Sequence, residues 1–299
     1  MTMNESMADF YPMPPELADM APALQAIRSE ARRFETDADA LKTIFNCIDL
    51  TTLNPTDSAT SVCEFVERVN RFAADHPDLG NVGGICVHSV FAPVLKKTLR
   101  VPGVRRAVVS AGFPSSQTFT DVKCLETQRA VEFGADEVDV VMAVGEFLDG
   151  KYEFVGTELA RVKAAAGNAR LKVILETGAL RDAEDVWNAS LLAIASGADI
   201  IKTSTGKGIP GASHEAAFVM CHAIAAYARN TGRKIGFKPA GGIATVEDAA
   251  VYYNIVRTVC GPEWLCSSLF RVGASRLANT LVSAIRSLQS GTEQTIKYF

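Results

Sequence analysis

The chain has 299 residues and a formal net charge of −4 at pH 7, with 48% hydrophobic and 21% charged residues. These are ordinary globular values, and they exclude a globally disordered, collagen-like or coiled-coil chain. The mild negative charge argues against a nucleic-acid partner, because general nucleic-acid binders usually carry a basic excess. The length allows two ordinary domains or one large barrel of about 250 residues.

The sequence shows no signal for export or membrane insertion. Residues 1–17 combine acids and prolines where a signal peptide needs a cationic patch and an apolar run. The longest mostly apolar stretch, 216–228, is too short for a membrane span of about 20 residues. Seven cysteines form no CxxC pair. We therefore expect a cytoplasmic protein with reduced thiols and no membrane partner.

The first 43 residues differ from the rest of the chain. The first part of this segment is acidic and contains prolines 12, 14, 15 and 22, and a stretch with helical periodicity follows near 24–41. We interpret 1–43 as an extension that packs outside the core or is partly mobile. Residues 44–290 are then predicted to form the main domain, and 291–299 a C-terminal tail.

From residue 44 onward, short apolar runs rich in β-branched residues alternate with longer segments of helical period. The predicted strands are 44–50, 84–87, 107–110, 137–141, 171–176, 199–202, 235–238 and 269–272. Their spacing of roughly 32 residues suits one strand plus one crossover helix. Eight such units favour a single (β/α)8 TIM barrel. The alternative is an open doubly wound sheet, which usually carries a glycine-rich loop after its first strand, whereas the glycines here cluster late.

Two of the predicted helices show an apolar face, and several residues mark helix ends. The first face comprises Val62, Phe65, Val66, Val69 and Phe72, and the second Val122, Leu125, Ala130, Val131 and Phe133. Expected N-caps are Asp182, Ser213 and Thr245, and expected left-handed stops are Gly134, Gly167 and Gly197.

Two apolar strands end in lysine, at Lys202 and at Lys238. A nucleophilic amine must be neutral, and lowering a lysine pKa from about 10.4 to about 7 requires about 4.6 kcal/mol against the ammonium. Burial and a neighbouring cation can supply this, since adjacent strands lie about 4.8 Å apart. The alternative is that both side chains reach solvent from the strand ends. The pair favours a reactive Lys202 assisted by Lys238.

Glycine loops follow the last three predicted strands. They contain Thr205, Gly206 and Lys207; Gly241 and Gly242; and Gly273, Ser275 and Arg276. Barrels often bind phosphate with such loops and a helix N-terminus, because glycine lets backbone N–H groups approach an oxyanion. The alternative is that these glycines serve only tight turns.

Carboxylates lie on three other predicted strands. Asp139 stands in the middle of an apolar strand, where pairing with a lysine would make it a proton carrier or a purely structural ion pair. Asp49 and Glu176 end other strands and could hold a substrate hydroxyl or orient a lysine. The four histidines show no metal-ligand spacing, and no cofactor motif appears, so we expect neither metal nor cofactor.

The chain resembles the class I deoxyribose-phosphate aldolase family. The matching segments are IDLTTL (48–53), GADEVDVV (134–141), LKVILETG (171–178), IKTSTGK (201–207), GFKPAGG (236–242) and RVGAS (271–275). The resemblance implies metal-free, reversible cleavage of 2-deoxyribose 5-phosphate to acetaldehyde and glyceraldehyde 3-phosphate.

The resemblance also implies roles for individual residues. Lys202 would form the Schiff base, Lys238 would lower its pKa, and Asp139 would shuttle protons through an ordered water. The glycine-loop residues would hold the phosphate, and the sugar or aldehyde end would be lined by Asp49, Thr51, Leu53 and Cys86. Tyr298 is a candidate for a C-terminal tyrosine that some members use in proton transfer.

The chain departs from the family at two positions. Ala244 stands where many members have arginine, and Arg276 follows Gly-Ala-Ser where a small or polar residue is common. We hypothesise that Arg276 replaces the missing cationic contact. Alternatives are a Schiff-base aldolase with another phosphorylated acceptor, or a noncatalytic sugar-phosphate-binding barrel. The oligomeric state stays open, with a homodimer as one option.

Overall fold

The structure is a computed structural model that describes residues 11–299. Eight parallel strands alternate with helices. The strands are β1 (Ile48–Thr51), β2 (Gly84–His88), β3 (Arg105–Ser110), β4 (Glu137–Val141), β5 (Arg170–Ile174), β6 (Ile200–Lys202), β7 (Gly236–Lys238) and β8 (Val272–Ala274). The α-helices are α1 (Ala21–Ala31), α2 (Ala38–Asn46), α3 (Ala59–Asp75), α4 (Ala92–Thr98), α5 (Thr120–Glu132), α6 (Val144–Leu148), α7 (Tyr152–Ala166), α8 (Ala183–Ala195), α9 (His214–Thr231), α10 (Val246–Val259) and α11 (Leu277–Ser290).

The strands form a barrel in sequence order. Each of β1 to β6 pairs in parallel with the strand that follows it in the chain, and β8 pairs in parallel with β1. Single bridges between Phe237 and Phe270 and between Ala240 and Gly273 join the β7 side to the β8 side. The predicted (β/α)8 TIM barrel is therefore confirmed, and the carboxyl ends of all eight strands meet at one mouth.

The N-terminal helices pack against the outside of the barrel. Helix α1 contacts α10, and α2 contacts α11. Leu24, Ile27, Phe34, Leu41 and Phe45 are buried in the main hydrophobic core. The described part of the extension is thus continuous with the core, while residues 1–10 lie outside the described part of the chain.

Two predicted strand borders were wrong. Residues 44–46 are the last turn of α2, so β1 begins only at Ile48, and the same helix continues across the predicted boundary at residue 43. Strand β8 begins at Val272 rather than at residue 269. Both runs are apolar because they are buried, and burial alone does not separate a strand from a helix or a bend.

The predicted apolar face of α5 was wrong for three of its five residues, whereas Ala130 is buried and Val131 packs against the core. Val122, Leu125 and Phe133 are 45%, 55% and 50% exposed. The helix instead buries Lys123, whose amine lies 2.6 Å from the Glu158 carboxylate on α7. The buried side of α5 thus carries an ion pair, while Val122 and Leu125 face outward.

The other local predictions hold. Every side chain of the predicted α3 face is buried. Asp182, Ser213 and Thr245 accept N-cap hydrogen bonds from backbone N–H groups of α8, α9 and α10. Gly134, Gly167 and Gly197 have positive φ.

The C-terminal tail folds back along α11. The side-chain oxygen of Asn279 accepts hydrogen bonds from the Tyr298 and Phe299 N–H groups. The Tyr298 hydroxyl donates to Asp75, 2.5 Å away. Asp75 is the last residue of α3, so this hydroxyl lies at the helix end remote from the mouth.

Within residues 11–299, no helix is long and apolar enough to cross a membrane. All seven cysteines are free thiols.

Candidate active site

Lys202 and Lys238 end neighbouring strands at the same height. Their Cα atoms are register partners in the β6–β7 pairing, and both side chains are buried. Lys202 Nζ donates to Asp139 Oδ2 at 2.9 Å, and Lys238 Nζ donates to the same oxygen at 2.7 Å. The structure therefore brings the three predicted catalytic residues into one hydrogen-bonded group.

A larger network of buried charges lies beneath this group. Lys172, in the middle of β5, has its Nζ atom 2.9 Å from Asp49, 2.7 Å from Glu137 and 3.0 Å from Asp139. Lys238 Nζ also lies 2.5 Å from Asp49. Arg271 pairs with Asp49 and, at 3.0 Å, with Glu137.

The charges of this network balance without Lys202. Its three fully buried carboxylates (Asp49, Glu137, Asp139) face three buried cations (Lys172, Lys238, Arg271). Arg170 lies 3.8 Å from Glu137 at the partly exposed edge and adds further positive charge. A fourth buried ammonium would carry a charge that no carboxylate balances, which favours the neutral form of Lys202.

The pKa directions follow the same division. Burial lowers the pKa of the Lys202 amine and Lys238 lowers it further, while Asp139 partly opposes both. Burial also acts against the charged forms of Lys238 and Lys172, but the neighbouring carboxylates raise the pKa of each above its ordinary value. Lys202 is thus the amine of the cluster that loses its proton most readily.

The carboxylates respond in the opposite sense. Burial would raise the pKa of Asp49, but Arg271, Lys172 and Lys238 hold it well below its usual range. Lys172, Lys202 and Lys238 likewise overcome burial and lower the pKa of Asp139. Both side chains are therefore ionised at neutral pH.

A cavity of about 430 Å³ opens above Lys202 at the mouth of the barrel. Predicted site residues that line it are Thr51, Leu53, Lys202, Thr205, Gly206, Lys207, Gly241, Gly242, Gly273, Ser275 and Arg276. Asp49, Asp139 and Lys238 are fully buried and are not among its lining residues. Cys86 is also buried, against Leu53, Ala107 and Val109, and burial raises the pKa of its thiol.

The loop after β6 forms hydrogen bonds to the loops that follow β5 and β1. Thr205 N–H donates to the Glu176 carboxylate at 3.1 Å, and Glu176 itself adopts left-handed backbone geometry with φ 54°. Lys207 Nζ donates to the Leu53 carbonyl at 2.7 Å. Glu176 was predicted to bind a substrate hydroxyl or to orient a lysine. In the structure its carboxylate instead accepts a hydrogen bond from the backbone of the loop after β6.

Close backbone packing joins the loops after β6 and β7. A Cβ atom on Gly211 would lie 2.1 Å from the Gly241 carbonyl oxygen, and one on Gly206 would lie 3.5 Å from Gly241 Cα. Ala212 N–H donates to the Ala240 carbonyl at 3.0 Å. Glycine at 211 is required by this approach, and sequence reasoning missed that residue.

The structure does not bring Tyr298 to the site. Its hydroxyl is bonded to Asp75, its ring packs against Phe72 and His76, and burial with Asp75 raises its pKa to about 12. The proton-transfer role expected for Tyr298 is therefore corrected, because the tail is anchored to Asn279 outside the barrel.

Besides Gly211, sequence reasoning missed two groups of site residues. Lys172 and Arg271 lie in the buried network, and each interrupts an apolar run, the same signal that identified Asp139. Phe65 and Arg68 on α3 line the cavity, but their pattern is that of an ordinary amphipathic helix. Within residues 11–299, no cluster of three His, Cys, Asp or Glu side chains is arranged to hold a metal ion.

The fold and the cavity define a (β/α)8-barrel protein with its candidate site at the carboxyl ends of the strands. The chain belongs to the DeoC/LacD aldolase family, whose family model matches residues 43–258.

Individual relatives agree with this assignment. The chain is 36% identical to deoxyribose-phosphate aldolase from Homo sapiens, over 89% of this chain and 86% of the relative. It is also 36% identical to deoxyribose-phosphate aldolase from Agrobacterium fabrum, over 83% and 92%. A solved structure of deoxyribose phosphate aldolase from Aeropyrum pernix, described as a unique tetramer, matches with a TM-score of 0.62 and 26% identity, over 89% of this chain and 98% of that chain. The resemblance seen in the sequence is thereby confirmed.

Proposed function

We propose that this protein catalyses reversible cleavage of 2-deoxyribose 5-phosphate to acetaldehyde and glyceraldehyde 3-phosphate, through a Schiff base on Lys202 and without a metal. The observation that carries the proposal is the charge balance around Lys202. It favours the neutral form of the Lys202 amine at the floor of a cavity whose other charged lining residues are cations.

Bond formation starts at the Lys202 nitrogen. Its lone pair attacks the carbonyl carbon C1 of the open-chain sugar, and a proton moves from nitrogen to oxygen to give the carbinolamine. The carbinolamine hydroxyl takes one further proton through the water beside Asp139 and leaves as water, which gives a protonated imine, and hydrolysis of the imine later returns that proton. Lys202 is 4% exposed and lines the cavity, so its nitrogen can reach a bound carbonyl while remaining desolvated.

Cleavage follows from the positive charge on the imine. A base takes the proton from the C3 hydroxyl, the C2–C3 bond breaks, and its electron pair moves toward the imine to leave an enamine. Glyceraldehyde 3-phosphate departs, C2 of the enamine takes a proton, and water releases acetaldehyde and regenerates Lys202. Asp139, acting through an ordered water, is the proposed proton carrier because its Oδ2 atom lies 2.9 Å from Lys202 Nζ.

Lys238 is assigned to keep Lys202 neutral. Its own pKa is raised by Asp139 and Asp49, so it remains a cation while Lys202 reacts. Asp49 orients Lys238 and Lys172 from below the cavity. Thr51 and Leu53 line the sugar end, with Cys86 beneath Leu53.

The glycine loops are assigned to the phosphate. The proposed ligands are Thr205, Gly206, Lys207, Gly241, Gly242, Gly273 and Ser275, with Arg276 as the cation that compensates for Ala244. Arg276 immediately precedes α11, whose N-terminal backbone dipole also favours an anion. Binding energy at this remote phosphate would position the reacting carbonyl.

A product assay tests the proposed function. The wild-type protein, treated with a chelator, should convert 2-deoxyribose 5-phosphate into acetaldehyde and glyceraldehyde 3-phosphate in equal amounts. Lys202→Met should abolish conversion while retaining affinity for inorganic phosphate. Activity that survives in Lys202→Met, or a wild-type protein that binds the sugar phosphate without cleaving it, would contradict the proposal.

We also propose a homodimer as the working assembly. Its support is the exposed apolar side of α5 around Phe119, Val122 and Leu125, together with the tetrameric Aeropyrum relative. Light scattering should give twice the mass of the chain, and Leu125→Glu should lower that mass. A monomeric wild-type protein would contradict this assembly.

A further inference from the structure

Arg68 lies on α3 one helical turn beyond Phe65, and both side chains line the cavity above Lys202. The guanidinium carbon lies 5.5 Å from the centroid of the Phe65 ring, within the range of a cation–π contact. The Nε atom is enclosed by protein and has no hydrogen-bond partner within residues 11–299. Arg68 is thus held at the cavity wall with an unused donor.

The charges around Arg68 do not explain its position. Glu67, the preceding residue, is bound to Arg100, with 2.6 Å between the carboxylate and the guanidinium. Among residues 11–299, Arg68 takes part in no salt bridge, and no carboxylate belongs to the cavity lining. A guanidinium on the cavity wall without a carboxylate partner favours an anion that enters the cavity.

The other two cations of the cavity approach it from different elements. Lys207 donates one of its hydrogen bonds to the Leu53 carbonyl, and Arg276 lies after β8, just before α11. Arg68 reaches the same cavity from the helix that follows β1. A guanidinium offers a planar fork of donors that matches two oxygens of a phosphate.

We propose that Arg68 binds the phosphate group of the substrate and makes the enzyme selective for phosphorylated over unphosphorylated sugars. This inference rests on the proposed function and extends it to a residue outside the glycine loops. Phe65 positions the guanidinium by stacking, and the phosphate accepts hydrogen bonds from the guanidinium N–H groups that border the cavity.

The experiment measures phosphate recognition directly. Calorimetric binding of inorganic phosphate is compared among the wild-type protein, Arg68→Ala, Arg68→Lys and Arg71→Ala. Arg71 is an exposed arginine of the same helix that does not line the cavity, so it is the matched control. Arg68→Ala should weaken phosphate binding by about tenfold or more, Arg68→Lys by less, and Arg71→Ala not at all.

Kinetics give the selectivity. The ratio of kcat/KM for 2-deoxyribose 5-phosphate to that for 2-deoxyribose should fall by about tenfold in Arg68→Ala, through a higher KM for the phosphorylated sugar. Unchanged phosphate affinity, or an equal loss on both sugars, would overturn the inference, because an equal loss indicates a purely structural role.

Borohydride reduction with acetaldehyde separates this inference from the proposed function. Acetaldehyde carries no phosphate, so Arg68→Ala should still form the reduced adduct on Lys202. If the wild-type protein forms no adduct, the proposed reaction fails, and the phosphate-binding comparison then still decides the role of Arg68. An adduct in both proteins with equal phosphate affinity would overturn the role of Arg68 alone.

Discussion

Lys202 and Lys238 are register partners on adjacent strands, and both of their amines donate a hydrogen bond to the same oxygen atom of Asp139, Oδ2. They differ in their other partners. Lys238 is also bonded to Asp49, whereas Asp139 supplies the one salt bridge that Lys202 forms within residues 11–299. Two lysines at equivalent positions thus acquire opposite pKa shifts.

Removing the second cation should make Lys202 more basic. In Lys238→Met the repulsion from Lys238 is lost and Asp139 is freed to attract a proton to Lys202, so both effects raise its pKa. Each pKa unit lowers the neutral fraction at pH 7 by about tenfold. The pH–rate profile should shift to higher pH, with activity recovering toward the alkaline end. Lys238→Arg keeps the cation and should shift the profile less; a uniform loss at every pH would contradict this role.

Lys172 should contribute mainly to stability. Lys172→Met leaves Asp49, Glu137 and Asp139 short of one buried cation, and breaking such a pair is expected to lower the free energy of unfolding by about 3–5 kcal/mol. Chemical denaturation at pH 7 measures this change. Lys123→Met removes a buried lysine paired with Glu158 away from the site, and it should destabilise without altering the pH–rate profile. A fully stable Lys172→Met protein would contradict the predicted contribution.

The buried carboxylates should make the fold sensitive to acid. Asp49 and Asp139 have a lowered pKa in the folded protein, so their stabilisation is present above the unfolded-state pKa of about 3.9. It declines as the pH falls below that value toward the folded-state pKa. Denaturation curves at pH 3, 5 and 7 should show a steep loss below about pH 4, and Asp139→Asn should flatten it. Equal pH dependence in Asp139→Asn and wild type would contradict this assignment.

Gly211 should matter for substrate binding although it is absent from the cavity lining. In Gly211→Ala the new Cβ atom collides with the Gly241 carbonyl, so the two phosphate loops must separate. We expect KM for the phosphorylated sugar to rise by about tenfold, equivalent to about 1.4 kcal/mol, with a smaller change in kcat. Gly208→Asn is the matched control, because its Cβ atom meets no neighbour within 4 Å and asparagine tolerates positive φ. An unchanged KM in Gly211→Ala would show that the loops are not held by this contact.

The barrel and much of the candidate site could be predicted from the sequence, because each feature that indicates them lies within a short stretch of the chain. Charged residues in apolar strands and glycines after strands both stand out in a linear chain. Lys172 carried the same signal as Asp139 and was overlooked. Arg68 gave no such signal. The sequence of an amphipathic helix shows which residues face the core, but it does not show which of its charged residues borders the mouth of the barrel. Tyr298 was misplaced because the tail is fixed by backbone N–H groups that donate to the side-chain oxygen of Asn279, nineteen residues before Tyr298.

Reduction of the imine tests the central claim most directly. The protein is incubated with acetaldehyde and borohydride over a range of pH, and the modified peptide is identified by mass mapping. We predict an adduct confined to Lys202 that already forms near pH 7, with none on Lys238 or Lys172. An adduct on another lysine, or one on Lys202 that appears only near the pKa of an ordinary lysine of about 10.4, would contradict the account.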